Sequence, residues 1–343
     1  MKAFGMFLIV FGHVIGDPQN IYNLVSQPAF TKQIGVAFFV FITGWGLANN
    51  RREPLRAVYN RIFPFYFWGI LFAAFLSVLF LIIKGDTNPS NYLPFFFGVN
   101  VFLDYFPANP TTWYIGTYLH LLLFWYIFLQ GKTIGASHIA AAFIVENFVR
   151  CFLLYINQDF VAYMLLPNWL TIFLLGMYSH EKRQQTSART AGALLIVLAL
   201  FQVAWYQLTS LIGFGGSFPF RDMDSDSLLA IPVESILISV VYLVNTYLFF
   251  EIARRLPGHR YITYLASATL ITVIIHMPIV FNTHKYFYIF FEDKLSAKLI
   301  FIFIIYFGTA VIANLIQHYV NITPAREKAW SLLSEVFMKY KRR

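Results

Sequence analysis

Ten long apolar runs, spread from one end of the chain to the other, leave it little choice of architecture. They fall at about 3–15, 34–49, 63–83, 114–130, 138–156, 166–180, 190–209, 228–250, 263–283 and 296–316. Inside a hydrocarbon core every backbone N–H and C=O must find a partner within the protein, so only helices and closed barrels can cross. The ten-residue alternation of a barrel strand is missing, and the expected fold is all-α, a polytopic membrane helical bundle of about ten transmembrane helices. Composition agrees: 59% of residues are hydrophobic and 12% charged, against about 25% charged in a soluble globule. No separate soluble domain is expected, and the chain divides into a membrane domain over 1–321 and a short basic, amphipathic tail over 322–343.

Charge in the connecting segments sets an orientation, because Lys and Arg gather on the cytoplasmic side. Alternate loops differ sharply. One set carries Arg51, Arg52, Arg56 and Arg61, then Lys182, Arg183 and Arg189, then Arg254, Arg255 and Arg260, and ends in a basic tail. The other set carries few cations, diluted by acids such as Asp86, Asp104, Asp222 and Asp293. Both termini are therefore expected in the cytoplasm. The net charge of +9 is accounted for by this asymmetry and by attraction to anionic lipid, with no nucleic-acid partner required. No cleavage site for a signal peptide precedes Asp17-Pro18, so the first run is expected to stay as a helix. A run of that length rises only about 20 Å against a core of roughly 30 Å, which points to residues missing upstream of Met1.

Ionisable groups within the spans are where chemistry is to be sought, since each costs a few kcal/mol at mid-membrane unless it faces a cavity or a partner. Lys2 and His13 are eleven positions apart on the first helix, about 20° from a common face and about 16 Å apart along the axis. One cavity wall can carry both; equally, Lys2 serves as an inner anchor and His13 as an interfacial histidine. Glu146 and Arg150 stand at i and i+4 with the acid first, the favourable order for a structural ion pair. Glu234 has no partner at helical spacing and needs one on another helix or on a substrate. His120 and His276 read as interior histidines or as site residues, and the proline two positions after His276 is suited to bend its helix. Four arginines between Asn49 and Arg61 suit the phosphates of an anionic ligand as well as they suit topology.

Other chemistries drop out. The single cysteine, Cys151, rules out an internal disulfide and a zinc site built on several thiolates. There is no G-x-S-x-G elbow and no HExxH helix, and His13 and Asp17 stand one residue too close for the HxxxxD pattern of glycerolipid acyltransferases.

Five stretches, taken in order, resemble the acyltransferase 3 family of membrane acyltransferases: KAFGMFLIVFGH at 2–13, GVAFFVFITGWGLANN at 35–50, RIFPFYFW at 61–68, TWYIGTYLH at 112–120 and IHMPI at 275–279. They match the family's basic residue followed ten residues on by His, its Phe-rich second helix, its Arg and Pro entry to the third, its Trp-Tyr segment and a late His-x-Pro. Two departures stand out. Lys2 replaces the commoner Arg, and Val58 stands where the family often has the first arginine of an Arg-x-x-Arg pair, which leaves Arg56 as a substitute.

The resemblance implies an enzyme, an O-acyltransferase that moves an acyl group, acetyl being the expected one, from acyl-CoA to a hydroxyl of a sugar or cell-surface polysaccharide. It implies a multi-pass protein of a bacterial inner membrane, with acyl-CoA as donor substrate and no permanently bound cofactor or metal. It makes His13 the base, with Lys2 holding the donor and a carboxylate such as Glu234 orienting a histidine. Arg51, Arg52, Arg56 and Arg61 become candidate contacts for the CoA phosphates, and Trp113, Tyr114 and His276 fall on the substrate side. The rival expectation is a transporter or flippase for a lipid-linked glycan, although no internal repeat relates residues 1–160 to 161–343.

Overall fold

The computed structural model of the chain describes residues 1–14, 31–49, 53–85, 98–103, 113–181, 189–211, 229–291 and 295–341. Among these there is no strand. The helices are α1 (Lys2–Val14), α2 (Thr31–Ala48), α3 (Pro54–Lys84), α4 (Trp113–Phe124, continued by a π turn over Trp125–Leu129), α5 (Ala136–Tyr155), α6 (Asp159–Met164), α7 (Pro167–Glu181), α8 (Arg189–Leu211), α9 (Ala230–Ala253), α10 (Arg260–Ser267), α11 (Thr269–Phe291), α12 (Leu295–Tyr319) and α13 (Thr323–Lys341). A 3₁₀ turn, Val99–Phe102, precedes α4.

All ten apolar runs are helical, but they are not equal in length. Six stretches are long and apolar enough to cross a membrane: Pro54–Leu79, Ala136–Tyr155, Asp159–His180, Thr190–Leu208, Ala230–Ala253 and Ser296–Tyr319. A seventh joins α10 to the first part of α11 across a 67° bend. α1, α2 and α4 are apolar but shorter. The bend falls at Ala268 and not at Pro278, which lies inside α11. The expected arginine loop is also corrected: Arg56 and Arg61 lie on α3, which opens nine residues before the apolar run begins. Pro54 in its first turn explains this, since its fixed φ suits a helix start and its missing N–H is not needed there.

The centre of the bundle is the Asp159–His180 span, 78% buried along its apolar window, whereas the Thr190–Leu208 span at 11% is peripheral. Close approach is achieved with glycine. A Cβ added at Gly44 would run into the Phe173 carbonyl oxygen, and one at Gly176 into the Phe41 carbonyl oxygen, so α2 and α7 cross backbone to backbone. α1 and α2 cross in the same way, where a Cβ on Gly35 would lie 2.6 Å from the Gly5 carbonyl oxygen. Lipid tails are as apolar as side chains, so packing and interhelical hydrogen bonds hold such a bundle, and small residues at crossings maximise both.

After α5 the chain reverses through a Schellman turn: Gln158 N–H donates to Leu153 C=O (2.9 Å) and Asn157 N–H to Leu154 C=O (3.0 Å). Asn157 takes the left-handed conformation this requires, φ 56°, which asparagine tolerates better than most residues. The reversal sets α7 against α5. The expected Glu146–Arg150 pair is found there at 2.6 Å, fully buried. Arg150 also donates to Asn168 Oδ1 (2.6 Å), the Ser235 carbonyl oxygen (2.8 Å) and Ser239 Oγ (2.9 Å), tying α5, α7 and α9 together. The expected basic tail forms α13, which folds back on the start of α3 through a hydrogen bond from Tyr59 Oη to the Arg326 carbonyl oxygen (2.7 Å).

Candidate active site

α1 packs against α2, α11 and α12, and its two ends carry the candidate residues Lys2 and His13. At the far end His13 reaches α11. Its Nδ1 lies 3.0 Å from Nε2 of His276, with the rings 5.2 Å apart between centroids and inclined by 21°. His276 is completely buried, and its Nδ1 lies 3.0 Å from the Thr272 carbonyl oxygen and 2.9 Å from that of Val273. His13 is half-buried. Lys32, in the first turn of α2, is close enough for its charge to act on His13.

At the near end Lys2 is exposed and lies in the field of Arg61. Arg61 is held in place by its own helix, with Nη1 donating to the Ala57 carbonyl oxygen at 3.0 Å. Its guanidinium rests against α2 where there is no side chain, since a Cβ on Gly46 would meet Nη2 at 3.2 Å. Tyr118 is in the field of Arg61 as well and stacks on Phe65 at 4.3 Å. Tyr306 on α12 fixes this end of α1 by donating to the Ala3 carbonyl oxygen at 2.8 Å. Lys2 and Arg61 thus bring two positive charges to this end of α1, which favours an anion there.

The model of the acyltransferase 3 family, an acyltransferase domain, matches residues 1–318. The chain belongs to that family. No significant match was found among curated proteins or among solved structures. With its apolar helices, the chain is a multi-pass membrane acyltransferase.

Of the residues named from the sequence, the acyltransferase brings His13 to His276 and Lys2 to Arg61. It separates Arg56 from Arg61. Arg56 turns to α13, where Nη2 lies 3.0 Å from Glu327 and the guanidinium carbon 6.0 Å from the centroid of the Trp330 ring. Arg51 and Arg52 lie outside the described residues. Trp113 is built into the core, its ring 4.8 Å from Tyr163 and 6.1 Å from Trp169, while Tyr114 is half-buried and packs toward Tyr118. Glu234 is buried near the start of α9. The group that faces His13 Nδ1 is His276. Lys32 acts on His13 from another helix, and this approach has no local signal in the sequence.

Proposed function

We propose that this acyltransferase carries an acyl group, acetyl in the simplest case, from acyl-CoA in the cytoplasm to a hydroxyl of a sugar or cell-surface polysaccharide on the opposite side. The observation that carries the reading is the polarity of α1: a pair of cations, Lys2 and Arg61, at one end and a half-buried imidazole at the other, about 16 Å apart by helix rise. CoA has a matching polarity. Its phosphates need cations, which an arginine fork and an ammonium supply, and its thin pantetheine arm ends in the thioester. The loop-charge asymmetry supports about ten crossings with both termini and the Lys2 end in the cytoplasm, in the inner membrane of a bacterium.

In this mechanism the acceptor O–H faces His13. As the hydroxyl oxygen attacks the thioester carbon, its proton passes to the imidazole, a step worth about 10²- to 10⁴-fold when base and hydroxyl are held in reach. The C–O bond forms, the C–S bond breaks, and the proton on His13 leaves with the thiolate as free CoA thiol. Lys32 is a candidate to steady the negative charge that builds on the carbonyl oxygen. Tyr114 and Glu234 are proposed on the acceptor side, where an aromatic ring and a carboxylate are the usual partners of a sugar.

The test is transfer of label from radiolabelled acetyl-CoA to surface glycan, in membranes containing either wild type or His13→Ala. Transfer by wild type alone is expected. Equal transfer by the variant removes His13 as base, and no transfer by wild type, with both proteins inserted, removes this donor and acceptor pair.

A further inference from the structure

The bonding of His276 has a consequence for His13 that goes beyond proximity. Nδ1 of His276 faces two backbone carbonyl oxygens of its own helix, Thr272 at 3.0 Å and Val273 at 2.9 Å. A carbonyl oxygen only accepts, so this nitrogen carries hydrogen and shares it between them. In a neutral imidazole the other nitrogen is then a lone-pair acceptor, and it is this Nε2 that lies 3.0 Å from His13 Nδ1. Two lone pairs cannot face each other at that distance, so His13 Nδ1 must donate. Neutral His13 therefore has its proton on Nδ1 and its free lone pair on Nε2, the nitrogen turned away from His276.

We infer that His276 is the positioning residue of this acyltransferase: anchored by the Thr272 and Val273 carbonyls, it fixes the His13 proton on Nδ1 and leaves Nε2 as the base. This rests on the reading of His13 as the base, and it moves His276 from the substrate side to a place behind the reacting group. A histidine base is commonly set in one tautomer by a partner on its other nitrogen, and a carboxylate is the usual partner. Here the partner is a second imidazole whose own tautomer is set by main chain. The arrangement works through the whole proton cycle. When Nε2 of His13 takes the acceptor proton, Nδ1–H still points at His276, and the bond becomes charge-assisted and stronger. Burial supports the division of labour: His276 is 0% exposed, while His13 is only partly buried.

The variants that isolate this role are His276→Gln and His276→Met, close in size and differing in whether an acceptor oxygen can stand where Nε2 stood. With acetyl-CoA as donor, His276→Met is expected to lower kcat by about 10²-fold or more while KM for the donor stays within about twofold; a misdirected base loses much of the general-base contribution. His276→Gln is expected to recover at least about tenfold of that loss. Equal activity of the two variants, whether both high or both low, overturns the proposal. A second readout needs no turnover: in protein labelled with ¹⁵N-histidine, the His13 signals, identified by their loss in His13→Gln, are expected to report the Nδ1–H tautomer in wild type and a mixture in His276→Met. An Nε2–H tautomer in wild type overturns the assignment. Since that spectrum is recorded without substrate, it stands or falls separately from the acyl-transfer reading.

Discussion

Arg56 and Arg61 are five residues apart on α3 and face different partners. Arg56 is paired with Glu327 at 3.0 Å, whereas Arg61 lies against the open Cα of Gly46 beside Lys2. Five residues turn a helix through about 140° from the starting face, so a single ligand does not draw equally on both. Arg61→Ala is expected to raise KM for acyl-CoA at least tenfold, because a charge-assisted hydrogen bond to phosphate contributes roughly 1.5–3 kcal/mol. Arg56→Ala is expected to change it by less than about threefold. Steady-state kinetics across a range of acyl-CoA concentrations decides the point, and equal shifts would put both arginines on the donor.

Lys2 gives a prediction in which stability and binding move in opposite directions. Its ammonium and the Arg61 guanidinium repel each other while no anion lies between them. Lys2→Met is expected to raise the melting temperature of the ligand-free protein in detergent and to reduce the further rise produced by adding CoA. Ligand stabilisation grows with the ratio of ligand concentration to Kd, so a weakened site must show a smaller increment at fixed CoA. A variant with lower ligand-free stability and an unchanged increment would make Lys2 a structural residue only.

The glycine crossings predict a sharp contrast among otherwise similar substitutions. Gly44→Ala and Gly176→Ala drive a methyl group into a neighbouring backbone carbonyl, which cannot step aside as a flexible side chain can. Each is expected to cost about 1–3 kcal/mol or more. Gly192→Ala and Gly308→Ala meet nothing within 4 Å, and helix propensity favours them by about 1 kcal/mol. Thermal unfolding of the detergent-solubilised variants should separate the two pairs by sign. Loss of stability in all four would show that the crossings are not special.

The helices of this protein were legible in its sequence because burial in lipid demands uninterrupted apolar stretches, and every one of the ten runs is helical. Their ends were less so. The start of α3 lies outside the continuous apolar run because Arg56, Asn60 and Arg61 interrupt it, and Pro54 reads equally as loop or helix start. The pairing of Glu146 with Arg150 was legible because both lie on one helix at i and i+4. Asn168, Ser235 and Ser239, which complete their contacts, come from two other helices and carry no spacing signal. The same limit hid the central relation of the site. His13 and His276 are 263 residues apart, and only the packing of α1 on α11 makes them neighbours.

The buried ion pair yields the last prediction. Glu146 Oε1 accepts from Arg150 Nη2 and from Ser239 Oγ, each at 2.6 Å, while Oε2 has no hydrogen-bond partner among the described residues. The carboxylate thus uses one oxygen, and an amide can reproduce that oxygen. Arg150 uses Nε, Nη1 and Nη2 toward three helices, and no other side chain can reproduce that fork. Glu146→Gln is expected to cost less than Arg150→Met, because the second change leaves a carboxylate buried without its cation, a loss of about 3–5 kcal/mol. Adding Glu146→Leu to Arg150→Met is expected to recover part of the loss, since an apolar pair no longer strands a charge. Melting temperatures of the three variants give the order directly. A Glu146→Gln variant as unstable as Arg150→Met would mean that the negative charge itself, rather than the geometry of one oxygen, holds the three helices together.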